Sequence, residues 1–370
     1  MKRAYLFMAV VVIGWSVGPV GAKALLHATG AQPSPHPLQV SFWAISAGWV
    51  LMLALLAVRG RLARLGDFTA RGWLVLIAMG FFGWAGYASS LNYALRSLPL
   101  PDAVIINYLH PVFTVLFQGA LFGHLARALS GWEQAPPGGM SRPPWARLGM
   151  GMAVALAGVA FIASGGRLTA LLGGTGLPGQ GSQLVIGAAA ALFAAISWGI
   201  YSNLGRFVSV KPGLPAGRQA GRRPSGAADV QTFAAMTVGV AMLAAALAAM
   251  GMLRSPAGYQ TPLYFLHWGP AAVSAWAVAA GMGLLLYGLG FTLWLAALEL
   301  GRAAGQAHRL PPLTYLTPIL TVTNGWIVLH QTFGPGFWWG ALLIAGGNLL
   351  IALPTSGAGS QPADSAPTSG

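Results

Sequence analysis

The 370-residue chain contains no cysteine, and only 7% of its residues are charged. Without cysteine the chain cannot form disulfides, thiolate metal sites or a cysteine nucleophile. Soluble proteins are about 25% charged, so this chain has too few charges to cover the surface of a soluble domain. Its Asp and Glu residues number only six, which leaves little material for acid–base or metal catalysis. A GxxxxGK[ST] phosphate-binding loop is also absent, which excludes ATP-driven transport by this chain alone.

Long hydrophobic runs make up most of the chain. Ten segments of about 18–24 residues contain a single charged residue, Lys23, and each is long enough to cross a bilayer as a helix. The predicted fold is therefore an all-α integral membrane protein with ten transmembrane helices. They are expected at 4–26, 39–58, 72–94, 103–123, 148–165, 184–205, 230–253, 273–296, 310–330 and 336–354.

The net charge of +14 comes from basic residues in the short gaps between these runs. They form no continuous face, so a nucleic-acid partner is not expected. Sixteen Lys and Arg residues fall on one side of the predicted membrane and three on the other. The positive-inside rule then places both termini in the cytoplasm of a multi-pass plasma-membrane protein. The N-terminal segment also resembles a secretory signal, but the repeat described next requires it as a span.

The two halves of the chain resemble each other. The segment NYLHPVFTV (107–115) matches TYLTPILTV (314–322) at five of nine positions, and two other pairs of spans match in the same order. Each half has five spans, an odd number, so the second half enters the membrane from the opposite side. An inverted repeat of this kind is typical of secondary transporters. We expect two five-helix repeats, at 1–165 and 184–354, followed by a disordered cytoplasmic tail at 355–370.

These motifs resemble the drug/metabolite transporter superfamily, specifically its ten-span EamA type. The resemblance covers residues 4–354. It rests on the first-span tryptophans Trp15 and Trp198, on Ala94-Leu95 and Ala297-Leu298, on the Tyr-Leu-x-Pro motifs at Tyr108 and Tyr315, and on Gly-x6-Gly motifs in the fifth and tenth spans. It implies alternating-access transport of small organic solutes, with export the commoner direction. Members commonly carry Glu at the ends of the fourth and ninth spans, where this chain has His124 and Gln331.

Polar and aromatic residues inside the spans are the candidate substrate-binding residues. Pro111 and Pro318 fall near the middle of their spans, where proline frees a backbone carbonyl, and interrupted helices at matching positions indicate a transport site. Polar side chains follow each proline helix at steps of three and four residues and so share one face. The full set is Trp15, Tyr87, Asn107, Tyr108, His110, Thr114, Trp198, Tyr287, Thr314, Tyr315, Thr317 and Thr321, with Pro111 and Pro318 as helix kinks.

The hypothesis favoured by the sequence is a secondary transporter, not an enzyme, with a small-molecule substrate and the lipid bilayer as its partners. The hypothesis includes no cofactor and no metal, and it leaves open whether the protein forms a homo-oligomer. Lys23 and Arg206, which are repeat mates near span ends, are expected to snorkel to the membrane interface. Two alternatives remain at this stage: an integral-membrane enzyme acting on lipid-linked substrates, and a membrane scaffold without transport activity.

Overall fold

A computed structural model describes eleven stretches of the chain, within which every regular element is a helix. These stretches are residues 1–27, 35–117, 145–163, 181–211, 227–250, 277–303, 310, 313–314, 316–331, 333 and 336–352. The predicted tail at 355–370 and His124 lie outside them.

Six of the described helices are long and apolar enough to cross a membrane, and each overlaps a predicted span. Their windows of 18 residues contain at most two charged residues, and less than half of each window is buried inside the protein. The remaining surface of these helices is apolar, as expected for contact with lipid. They are α1 (Lys2–Leu26), α2 (Pro37–Val58), α3 (Ala70–Ser97), α7 (Gly181–Leu204), α8 (Ala227–Ala249) and α9 (Ala277–Gly301).

Five shorter helices correspond to the other predicted spans. Helices α6 (Trp145–Ala163), α10 (Leu316–Leu329) and α11 (Phe337–Ala352) are predominantly apolar. The fourth predicted span is divided into α4 (Leu100–Asn107) and α5 (His110–Leu116). Gln331 follows α10, and its Oε1 accepts a hydrogen bond of 3.1 Å from the backbone N–H of Leu100, so that it caps the start of α4.

Helices α3 and α9 each contain a π-helical turn at the same place in their sequences. The turns are Gly80–Gly86 and Gly283–Gly290, and each begins 14 residues before the Ala-Leu pair that the two spans share. A π turn inserts one extra residue into the helix and often occurs at functional sites. Tyr87 directly follows the first turn and Tyr287 lies within the second, and both side chains line the central cavity.

Glycines bring each π turn against a helix from the other half of the chain. A Cβ atom added to Gly48 of α2 would collide with Tyr287, and one added to Gly239 of α8 would collide with Trp84. Trp84 and Tyr287 occupy equivalent positions in the alignment of the two halves. Helix α2 therefore packs on α9 in the same way that α8 packs on α3.

Helices α6 and α11 form a second close contact between the halves, and it uses the Gly-x6-Gly motifs. A Cβ atom on Gly158 would meet the carbonyl of Gly340 at 2.6 Å, and one on Gly347 would collide with Gly151. The first glycine of each motif thus faces the second glycine of the other. This pairing makes the two helices antiparallel.

The loops that follow α2 and α7 are joined at one end of the helix bundle. Phe68 and Val210 form an antiparallel bridge, and the backbone N–H of Lys211 donates to the carbonyl of Asp67 at 2.8 Å. Arg61 forms an ion pair of 2.5 Å with Asp229 at the start of α8. These contacts hold the first half of the chain to the second at this end.

Candidate functional site

A cavity of about 730 Å³ lies between the two halves of the chain. Its wall is built from both: α1, α3, α4 and α5 of the first half, and α7, α8, α9 and α10 of the second. This volume is within the range that small-molecule sites commonly have, about 300–1,000 Å³. A cavity shared between halves is therefore large enough for a metabolite or a drug-sized solute.

The structure brings ten of the twelve candidate residues into the wall of this one cavity. Thr317 is buried beside it and does not line it, and Tyr315 lies outside the described residues. The ten lining residues are Trp15, Tyr87, Asn107, Tyr108, His110, Thr114, Trp198, Tyr287, Thr314 and Thr321.

The fourth span is interrupted, not kinked. Tyr108 and Leu109 lie between α4 and α5, and Pro111 stands in the first turn of α5. The carbonyl of Tyr108 accepts a hydrogen bond of 3.3 Å from the Asn348 side chain, which compensates part of the interruption. The helix thus ends before Pro111 and begins again at it, near the middle of the predicted span.

Pro318 lies two residues after Leu316, where the described part of α10 begins. Tyr315, which precedes Leu316, lies outside the described residues, so the kink at Pro318 stays a prediction. Residues on either side of this proline, Thr314 and Thr321, line the cavity.

Aromatic rings form a continuous cluster along the cavity. Phe291 contacts both first-span tryptophans, with its ring centroid 5.5 Å from that of Trp15 and 5.9 Å from that of Trp198. Trp198 also contacts Tyr87, at 4.9 Å. The indole N–H of Trp15 donates to the carbonyl of Leu286 inside the π turn of α9, at 3.1 Å. The π turn thereby fixes the orientation of one tryptophan in the wall.

Polar groups at the helix interruption face the same cavity. The Asn107 amide Nδ2 lies 3.4 Å from the hydroxyl oxygen of Tyr87, while its Oδ1 is buried without a hydrogen-bond partner. The ring of His110 lies 5.2 Å from that of Tyr108. The hydroxyl of Thr114 donates to the carbonyl of His110, at 2.8 Å. Hydrogen-bonding groups and aromatic faces therefore meet at one place.

One end of the cavity is closed by buried residues, which we call the closed end. Ala22, Leu95 and Val104 line it and are each at most 2% exposed. Lys23, which is 5% exposed, crosses from α1 and donates hydrogen bonds of 2.6 Å to the carbonyls of Leu95 and Leu98. The expectation that Lys23 snorkels to the interface was wrong, because these carbonyls at the end of α3 bind its ammonium group inside the protein.

The opposite end, which we call the open end, is lined by less buried residues. Ser202 lines the cavity and is exposed, and Gly205 and Ala228 are partly exposed. These residues lie beside the joined loops that contain Arg61 and Lys211. Within the described residues, the cavity is thus accessible from the end of the bundle that carries the basic loops.

Several lining residues were missed in the sequence. They lie one or two helical turns from residues that were predicted: Tyr201 and Ser202 follow Trp198, and Phe291 and Trp294 follow Tyr287. Tyr201 lies three residues after Trp198, and Phe291 and Trp294 lie four and seven residues after Tyr287. This helical spacing could have indicated that these three aromatic residues share a face with the predicted ones. Gln231 and Thr232 of α8 also line the cavity. They stand near the start of a span, where polar residues are common, so no local pattern in the sequence marks them as cavity residues.

The sequence and the fold were compared with known proteins. The model of the EamA-like transporter family matches residues 2–127 and 226–353, which together are more than half of the chain. The chain belongs to the EamA-like transporter family. The family match and the six helices that can span a membrane identify this EamA-like protein as a multi-pass membrane protein of a transporter family. This confirms the family resemblance described for the sequence.

Solved structures agree with this assignment at the level of the fold. A crystal structure of another protein superimposes on the EamA-like chain with a TM-score of 0.51. Its sequence is 22% identical, and the alignment covers 95% of this chain and 97% of the other. At this identity the similarity concerns the fold alone. Comparison with curated proteins gives no match.

Proposed function

We propose that this EamA-like protein is a secondary transporter that exports small organic metabolites or drug-like solutes across the plasma membrane by alternating access. The observation that carries the proposal is the central cavity, which is lined by both halves, with buried lining residues such as Leu95 toward one end and exposed ones such as Ser202 toward the other. A transporter needs such a site between two parts that can move against each other.

The proposed architecture is ten transmembrane helices in two inverted five-helix repeats, at 1–165 and 184–354. The equivalent contacts of Gly48 and Gly239 with the π turns of the opposite half support this repeat. The antiparallel packing of α6 on α11 supports an inverted relation between the halves, because equivalent helices of inverted repeats run in opposite directions.

The open end is proposed to face the cytoplasm. It lies beside the loops with Arg59, Arg61, Arg64 and Lys211, and basic loops stay on the cytoplasmic side of a bilayer. Both termini would then also be cytoplasmic. In this orientation the cavity can take up a solute from the cytoplasm, as the first step of export requires.

Ligand binding and transport test this function with the same variants. Ligands that bind the folded state raise the melting temperature, so the purified protein is screened against amino acids, nucleosides, amines and sugars, and hits are assayed for transport in proteoliposomes. We expect Tyr108→Ala and Tyr287→Ala to abolish both signals, since both side chains line the cavity. Trp326→Ala is the matched control, because Trp326 is 60% exposed on the outer surface of α10.

Two results would contradict the proposal. Transport that is unchanged in both tyrosine variants, at equal levels of inserted protein, would show that the cavity is not the substrate site. Hits that bind but are not moved into or out of sealed vesicles would favour the scaffold alternative.

A further inference from the structure

The described part of the cavity wall contains no permanently charged side chain that could bind an anion. Among the described residues that line it there is no Lys, Arg, Asp or Glu. The nearest buried cation is Lys23, and the carbonyls of Leu95 and Leu98 already bind its ammonium group. A carboxylate or phosphate would therefore be moved from water into this wall without a positive partner, which is strongly unfavourable.

The aromatic cluster favours the opposite charge. The face of an aromatic ring carries partial negative charge and attracts a cation placed within about 6 Å of its centroid. Trp15, Trp198, Tyr287 and Phe291 all line the cavity. An organic cation can thus be stabilised in the cavity without a carboxylate.

The helix interruption contributes hydrogen-bond acceptors in excess of donors. Asn107 is 4% exposed and lines the cavity; its Nδ2 lies near the Tyr87 hydroxyl, and its Oδ1 lacks a donor. Pro111 stands where a continuous helix would donate an N–H to the carbonyl of Asn107, and it has none. The missing partner at this place is a donor, and an ammonium group supplies up to three.

From these observations we infer the substrate class, an inference that rests on the proposed transport function. The substrate is an organic amine with an apolar or aromatic body that fits the cavity of about 730 Å³. Its ammonium group binds at the helix interruption beside Asn107, and its body lies against the rings of Trp15, Trp198 and Phe291.

Three compounds that share a phenyl ring and a two-carbon chain test the inference: 2-phenylethylamine, 2-phenylethanol and 3-phenylpropanoate. Their binding to the purified full-length protein is measured by calorimetry at pH 7. We expect the amine to bind at least tenfold more tightly than the alcohol, and the acid to bind most weakly. In Asn107→Leu, which removes the acceptor, the amine is expected to lose at least tenfold in affinity and the alcohol less than threefold.

The ligand comparison needs only the wild-type protein, so it holds even if Asn107→Leu fails to fold. Tyr87→Phe is then the second variant, because it removes the hydroxyl that holds the Asn107 amide and should reduce the preference for the amine. Equal or tighter binding of the alcohol or the acid would overturn the inference while leaving a transport site in place. Absence of binding by all three compounds would overturn it too. The proposed function is judged separately, by the wider panel and the vesicle assay.

Discussion

Lys23 is expected to control which end of the cavity is open. Its ammonium group donates two hydrogen bonds of 2.6 Å from α1 to the end of α3, and it is attracted by the buried carboxylate of Asp102. In Lys23→Met all of these interactions are lost from the closed end. Hydrogen bonds to charged groups contribute about 1.5–3 kcal/mol each.

Part of this stabilisation is offset by the cost of burying an ammonium group, which methionine does not have. We therefore expect a net loss of about 2 kcal/mol in the state with the closed end sealed. A change of this size raises the population opened at that end about 30-fold.

The assay uses the absence of cysteine in the chain. Ala22→Cys introduces one thiol at the closed end, where Ala22 is 2% exposed. A membrane-impermeant thiol reagent is applied to sealed vesicles from either side. In Lys23→Met the labelling rate from the closed side should rise about 30-fold, whereas a Ser202→Cys reporter at the open end should not become more reactive.

A rise of less than threefold would refute the reasoning, provided that the variant is inserted and folded. Loss of Lys23 alone also removes the nearby cation that favours the charged form of the buried Asp102 carboxyl group, which is a further destabilising effect. The double variant Lys23→Met/Asp102→Asn removes this charge as well. It should fold better than the single variant and still label rapidly from the closed side.

Three further outcomes are expected. Gly283→Ala should destabilise the protein by about 2–3 kcal/mol because its Cβ would collide with α2, whereas Gly281→Ala, which has no neighbour within 4 Å, should be neutral in the same thermal denaturation assay. Burial and a neighbouring arginine lower the pKa of His36 below 6.5, so its contribution to stability is complete above pH 6.5 and decreases as the pH falls below that value. The melting temperature should therefore fall between pH 7 and 5, and His36→Asn, which keeps a capping acceptor, should weaken this fall. Arg206→Met changes the repeat counterpart of Lys23. It should reduce labelling of the Ala22→Cys reporter from the closed side, whereas increased labelling would contradict opposite roles for the two residues.

The sequence pointed to ten of the residues that line the cavity and missed others, such as Tyr201 and Gln231. Mid-span aromatic residues and polar stripes on proline helices have few other reasons to occur, because lipid-facing surfaces exclude them. It was not sufficient to predict the π turns at Gly80 and Gly283, since these depend on close contacts with helices of the other half. The burial of Lys23 was equally inaccessible, because its acceptors Leu95 and Leu98 lie more than 70 residues away in the chain.

Because the two halves of the chain are repeats, Lys23 at the closed end has an equivalent residue at the open end. In the alignment of the halves, Arg206 matches Lys23, and the carbonyls of Leu298 and Gly301 match those that Lys23 binds. In the present state Arg206 hydrogen-bonds to Asn203, among other contacts, and Lys23 donates to the carbonyls at the end of α3. If the halves exchange roles during transport, Arg206 is expected to bind the carbonyls at the end of α9 in the state in which Lys23 has left the end of α3. Each residue then stabilises one of the two states, and the balance between them sets the direction in which the cavity opens.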